Sequence, residues 1–140
     1  MADLPPNIPD CTIFLLAKAY QKAHGDFQKR LRPFGLTNLQ HLVLEALWYQ
    51  TGFTAAELGK FLVLDKATLS GVLDRMSDAG WIEKKPDPDD RRVVRLCPSQ
   101  KAEKMKEPLI ELRKTANDDL LSVFPIEEQM LLKRFLRDLM

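Results

Sequence analysis

Cysteine is scarce in this chain: Cys11 and Cys97 are the only two. Two thiols so far apart supply neither a disulfide framework nor the clustered ligand spacing of a zinc site. Both are expected as ordinary reduced thiols, with Cys97 serving in packing. Long apolar runs are lacking as well. No stretch approaches the roughly 20 uninterrupted apolar residues that cross a bilayer. The polar, proline-bearing opening from Met1 to Asp10 carries no basic run ahead of an apolar core, so the expected location is the cytoplasm, away from any membrane. Excess charge of one sign is absent too: 21 basic against 20 acidic residues leave a formal net charge of +1. Binding to a polyanion therefore has to be argued from where the charges sit, because an even balance can hide a local basic face. Histidine is limited to His24 and His41, in separate segments, and no nucleophile is grouped with a base and an oxyanion donor. An enzyme is not expected on those grounds, and neither a metal nor a cofactor is.

What the chain does have is helical periodicity, interrupted once. Ile13, Leu16, Ala17, Tyr20, Ala23, Phe27 and Leu31 recur at helical spacing and predict a helix over 12–31, closed by Pro33 and Gly35. Thr37 followed by Gln40 is a capping-box pattern. The helix it opens is expected to bury Leu39, Leu42, Val43, Ala46 and Leu47 and to end at Thr51 and Gly52. Thr54 with Glu57 repeats the device and opens a short helix over about 55–62. Asp65 then caps a further helix running to about Ala79, stopped by Gly80, with Leu69, Val72, Leu73 and Met76 as its buried stripe. Two helices joined by so short a link predict a helix-turn-helix. After Gly80 the period changes: residues 81–84 and 93–96 read as two strands of a hairpin with a long charged tip. Pro98 and Ser99 open a long helix, and Pro125 opens a last one carrying Leu131, Leu132, Phe135, Leu136 and Leu139. The fold class expected is mainly α with a small β-hairpin: a winged helix-turn-helix.

Opposite its apolar stripe, the helix from Asp65 presents Ala67, Gly71 and Asp78, flanked by Thr68, Ser70, Asp74 and Arg75. Small residues, short hydroxyls and an arginine suit a helix that enters the major groove, with its N-terminal amides near a phosphate. The same face also suits a solvated helix or one packed against another helix. Asp74 and Asp78 oppose a polyanion unless they are paired. In the hairpin tip, Asp87, Asp89 and Asp90 lack the glycine and distal glutamate of a calcium loop, and Arg91 and Arg92 repel a cation. Asp90 and Arg92, two apart on an extended chain, share a face, so Asp90 could orient the Arg92 guanidinium toward a minor groove. Solvated ion pairs of little energetic value are the alternative for this loop.

These residues resemble the multiple-antibiotic-resistance regulator (MarR) family of transcription factors. The resemblance runs from LTNLQHLVLEAL through AAELGKFLVLDKATLSGVLDRMSDAGWIEKKPDPDDRRVVRLCPSQKAEKM, and its specific part is Leu58 to Leu96. It implies one domain over 1–140, with a winged-helix DNA-binding lobe at 36–97 and N- and C-terminal dimerisation helices at 10–33 and 99–140. It implies a homodimer on a roughly palindromic double-stranded DNA operator. The family's recognition-helix contacts fall on Lys66, Thr68, Leu69, Ser70, Gly71 and Arg75, and its wing contacts on Asp90, Arg91 and Arg92. Such proteins are usually repressors released by a small aromatic or anionic effector, in a cleft that Phe14, Tyr20, His41 and Trp48 would line here. LVLDKATLS is also similar to the organic-hydroperoxide-sensing branch, which implies a thiol-based repressor acting through Cys11. The alternative from a different class is a winged-helix protein-interaction module that binds no DNA.

Overall fold

The computed structural model describes residues 10–140. The helix expected from Thr12 forms as α1 (Thr12–Leu31), and a single 3-10 turn at Arg32–Phe34 ends on Gly35 in the left-handed region. Then follow α2 (Asn38–Tyr49), α3 (Ala55–Leu62), α4 (Lys66–Asp78), β1 (Ile82–Pro86), β2 (Val94–Pro98), α5 (Gln100–Leu121) and α6 (Ile126–Asp138). The chain divides into two compact units, one of residues Gln28–Ile110 and one formed by the segments before and after it.

The Gln28–Ile110 unit is a winged helix, and its local signals act as the sequence predicts. Thr37 accepts from the Gln40 amide while the Gln40 side chain accepts from the Thr37 amide; Thr54 and Glu57 repeat the exchange at α3. Each box satisfies two amides that a helix start leaves without a partner. Ser99 caps α5 by accepting from the Ala102 amide, and its hydroxyl donates to the Gly80 carbonyl. The hairpin strands pair antiparallel from Ile82 opposite Pro98 to Pro86 opposite Val94. Against the expected 81–84 and 93–96, β1 runs two residues further toward the tip, while β2 starts one residue later and runs two residues further away from it. Phe53, in the link between α2 and α3, bridges to Leu96 and adds a short third edge.

The buried side chains of this unit come from every element: Leu31, Leu36, Leu44, Leu47, Leu58, Leu69, Leu73, Met76, Trp81, Ile82, Leu96 and Leu109. Trp81 is buried as the anchor of the hairpin, with the Lys101 ammonium 4.2 Å above its ring. On α2 the expected stripe is corrected. Leu42 is exposed, whereas Leu44 and His41 are buried beside Val43, Ala46 and Leu47. More than one side of α2 is covered, so a single apolar stripe does not describe it.

The helix-turn-helix link contains a residue that physical chemistry disfavours there. Val63 caps α3 at φ 55°, ψ 51°, and is 89% exposed. A branched L-residue in the left-handed region costs about 1–2 kcal/mol, and glycine escapes that cost. Val63→Gly is therefore expected to stabilise the protein by about 1 kcal/mol after the extra chain entropy of glycine is deducted, raising Tm by a few degrees in a thermal melt. An unchanged or lower Tm would show that the Val63 conformation carries no strain.

The second unit comprises the described part of α1 up to Phe27, α5 from Glu111, and α6. Among its described residues Leu121 is buried, while Ile13, Tyr20, Val123, Ile126, Met130, Leu131, Phe135, Leu136 and Leu139 are exposed. No helix among the described residues is long and apolar enough to cross a membrane.

Candidate nucleic-acid interface

Asp65 builds the start of α4. Its carboxylate accepts the Thr68 amide at 2.8 Å and the Thr68 hydroxyl at 2.7 Å. Those two bonds, the backbone one foremost, hold the Asp65 carboxyl below the usual carboxylate range. The α4 N-terminus thus carries a carboxylate that already takes the Thr68 amide, and the Thr68 hydroxyl donates its hydrogen bond to the same cap. Thr68 can offer outward only lone pairs and a methyl group.

Lys66, Ala67, Thr68, Ser70, Asp74 and Arg75 are exposed along α4, and Gly71 is half-buried among them. A Cβ built on Gly71 would lie 3.5 Å from Arg75 Nη1. The guanidinium therefore folds back along the helix over a residue with no side chain, close to the backbone. Leu69 does not belong to this face. At 2% exposure it is a core residue, because it shares the stripe with Val72, Leu73 and Met76. The DNA contact that the resemblance implies for Leu69 therefore has no exposed side chain to make it. Asp74 is neutralised by Lys84 of β1, whose ammonium donates to it at 2.7 Å. One of the two acids expected to oppose a polyanion thus has its counter-ion supplied by the hairpin.

The hairpin tip, residues 87–93, is organised by two aspartates in succession. Asp87 Oδ1 accepts the amides of Asp89 and Asp90 at 2.8 and 3.1 Å. Its Oδ2 accepts Arg95 Nε at 2.7 Å. The Arg95 bond foremost, then the two amides, hold the Asp87 carboxyl below its ordinary range. Asp90 Oδ1 accepts both the Arg92 amide at 3.0 Å and Arg92 Nε at 3.1 Å, while Arg92 Nη2 donates to Asp90 Oδ2 at 3.3 Å. The expected Asp90–Arg92 pair is present, but an Asx-type turn makes it; a shared strand face does not. Arg92 nevertheless remains 91% exposed, so its outer edge is available. Arg91 is exposed beside it. No group of three or more His, Cys, Asp or Glu residues among the described residues could hold a metal ion.

Sequence reasoning missed Arg95 of β2, and it weighed Asp87 only as a metal ligand and not as the organiser of the tip. Arg95 Nη1 also donates to the Gly52 carbonyl at 3.1 Å and to Glu57 Oε2 at 3.4 Å, reaching across 43 and 38 residues of chain. The hairpin register offers the one available signal, since Arg95 stands on the strand next to the acidic tip.

The remaining candidates are scattered. Phe14 and Tyr20 lie on α1 in one unit, and His41 and Trp48 lie on α2 in the other. Tyr20 is exposed with its ring 5.2 Å from His24, and Lys18 stands 5.5 Å over Phe14. His41 is 3% exposed with Nε2 3.6 Å from Glu45 Oε1, and Trp48 Nε1 is buried without a hydrogen-bond partner. None of the four lines the cavity of about 900 Å³ in the winged-helix unit, whose walls include Lys60, Leu64, Ser70, Lys84 and Val94. Cys11 is an exposed free thiol just before α1, its carbonyl accepting the Leu15 amide. Cys97 is half-buried in β2 opposite Glu83.

Residues 36–94 match the MarR family model. The HTH-type transcriptional repressor NicR of Pseudomonas putida is 34% identical over 90 residues, 64% of this chain and 57% of that protein. The match thus spans less than two thirds of that relative's length. Among solved structures, a probable transcriptional regulator from Pseudomonas aeruginosa superposes with a TM-score of 0.88 at 27% identity, covering 95% of this chain and 99% of the other. A mutant Escherichia coli MarR in complex with operator DNA superposes with a TM-score of 0.86 at 26% identity over 99% of both chains. The helix-turn-helix and wing thus match the MarR family over residues 36–94, and the fold of the chain is that of solved MarR-type transcriptional regulators.

Proposed function

We propose that this protein is a DNA-binding transcriptional regulator, a homodimeric repressor acting on a roughly palindromic operator. One observation carries the proposal: the Arg92 guanidinium is held by Asp90 at the tip of a rigid turn and is still almost wholly exposed. A pre-oriented arginine costs little entropy to insert into a narrow, electronegative minor groove. The exposed set on α4, namely Lys66, Thr68, Ser70, Gly71 and Arg75, has the size and polarity to meet base edges and phosphates in the adjoining major groove. Dimerisation falls to the helices at 10–33 and 99–140, supported by the apolar side chains that α1 and α6 leave in water. The lobe at 36–97 then reads one half-site per protomer, and the cytoplasm is the location that accords with that role. A small aromatic or anionic effector fits the cavity walled by Lys60, Lys84, Leu64 and Val94, where it would crowd the flank of α4.

The test is a titration of promoter duplex at rising salt, with an aromatic carboxylate added in a parallel series. Each neutralised phosphate steepens the salt dependence, and six to ten contacts lower affinity about 10³- to 10⁵-fold between 50 and 200 mM salt. Tight binding that weakens on such a slope is expected, with release in the carboxylate series. Absence of binding at low salt would overturn the proposal.

A further inference from the structure

We infer that Arg95, which the proposed DNA contacts do not include, is the positioning residue of the wing. It holds Arg92 in place through Asp87 and ties the tip to the start of α3. The inference rests on the reading of Arg92 as a groove-inserting side chain. A continuous hydrogen-bonded path carries it. Thr54, the α3 cap, donates its amide to Glu57 Oε2 at 2.8 Å, and the same oxygen accepts from Arg95. Arg95 donates in the other direction to Asp87, whose second oxygen gathers the amides of Asp89 and Asp90. Asp90 in turn holds Arg92. Every link from the helix-turn-helix to the tip is a side chain with two jobs, and Arg95 is the one that crosses from the hairpin to the helices.

The site is built for a guanidinium. Nε faces Asp87 while Nη1 faces the Gly52 carbonyl and Glu57, so one planar fork satisfies three acceptors on three segments. A lysine ammonium is a single point of charge on a flexible stem and cannot span them together. Gly52 supplies its carbonyl from φ 90°, a conformation that residues with a side chain rarely adopt. The Asp87 side chain is only 13% exposed, so its end of the pair is better shielded than that of an ordinary surface bridge, while the Arg95 side chain is 37% exposed. Arg95 also stands opposite Lys85 in the register, a like-charge pairing that sheets avoid, and the Asp87 and Glu57 carboxylates offset it.

A charge explanation and a positioning explanation predict opposite signs for one variant. Asp87→Asn removes a negative charge near the polyanion, so charge alone would tighten binding. Asparagine keeps a single acceptor oxygen, which can serve Arg95 or the two tip amides but not both, so positioning predicts weaker binding. The experiment measures duplex affinity of full-length wild type, Arg95→Met, Arg95→Lys and Asp87→Asn, each alone and combined with Arg92→Ala, with thermal melts to confirm folding. Arg95→Met and Asp87→Asn are each expected to weaken binding about fivefold, with Arg95→Lys between them and wild type, and neither is expected to add a loss in the Arg92→Ala background. Equal or tighter binding by Asp87→Asn, or losses that add to that of Arg92→Ala, would overturn the inference while leaving DNA binding in place. A wild type that binds no duplex at low salt would overturn both.

Discussion

Arg92→Ala is expected to lower duplex affinity by about 1–3 kcal/mol, roughly 5- to 160-fold, without moving the melting temperature. The two halves of that expectation have separate causes. Affinity falls because Arg92 presents its guanidinium outward in an orientation already set by Asp90. Binding then need not order a long side chain, and that saving is lost with the side chain. Stability is unchanged because the residue is 91% exposed, and an exposed ion pair contributes little. Arg92→Lys separates charge from shape: it keeps the cation and loses the fork, and an intermediate affinity is expected. Fluorescence anisotropy with labelled duplex supplies the affinities, and sedimentation of the same samples checks that oligomeric state is untouched. Arg92→Ala binding as tightly as wild type would remove the wing from the recognition surface.

Leu69→Ala is expected to act on the opposite quantity, lowering the free energy of unfolding by about 2–5 kcal/mol. Leu69 is 2% exposed and packs with Leu73 and Met76 on the inner side of α4. Truncating it removes apolar burial and leaves a cavity that the surrounding helices fill only in part. Gly59 shows how close that packing is, since a Cβ built there would lie 3.4 Å from Leu69 Cδ2. Denaturant unfolding measures the loss directly. Below the melting transition the folded fraction of Leu69→Ala should still bind duplex with near wild-type affinity, because the side chain faces away from the exposed set. A variant that keeps its stability and loses DNA binding would reverse the assignment and return Leu69 to the interface.

The same residue shows how far a family correspondence can be carried. Leu69 lies between two exposed neighbours, Thr68 and Ser70, and the family's recognition-helix contacts carry over onto all three. Helical periodicity alone places it with Val72, Leu73 and Met76, and burial agrees with the period. Thr68 is a subtler case. It faces outward as expected, but its hydroxyl proton goes to Asp65. The identity of a side chain says what it can donate, whereas its neighbours say what it has left to donate.

By itself the sequence determined whatever is decided within a few residues of chain. Both capping boxes, the Asp65 cap, the inner stripe of α4 and the Asp90–Arg92 pair are contacts between residues two to seven apart, where backbone geometry leaves few alternatives. These were enough for the winged-helix fold, and with the motif from Leu58 to Leu96 they were enough for the resemblance to the family that residues 36–94 match. The tertiary structure decided the rest. Which sides of α2 are covered depends on several elements closing around it, so Leu42 lies in water while Leu44 and His41 do not. Asp74 meets Lys84 only because the hairpin folds back onto α4. Arg95 finds Gly52 and Glu57 only once about 40 residues of intervening chain have been packed. Long-range partners of a charged side chain are chosen by geometry that periodicity does not encode, and the support of the wing is built from such partners.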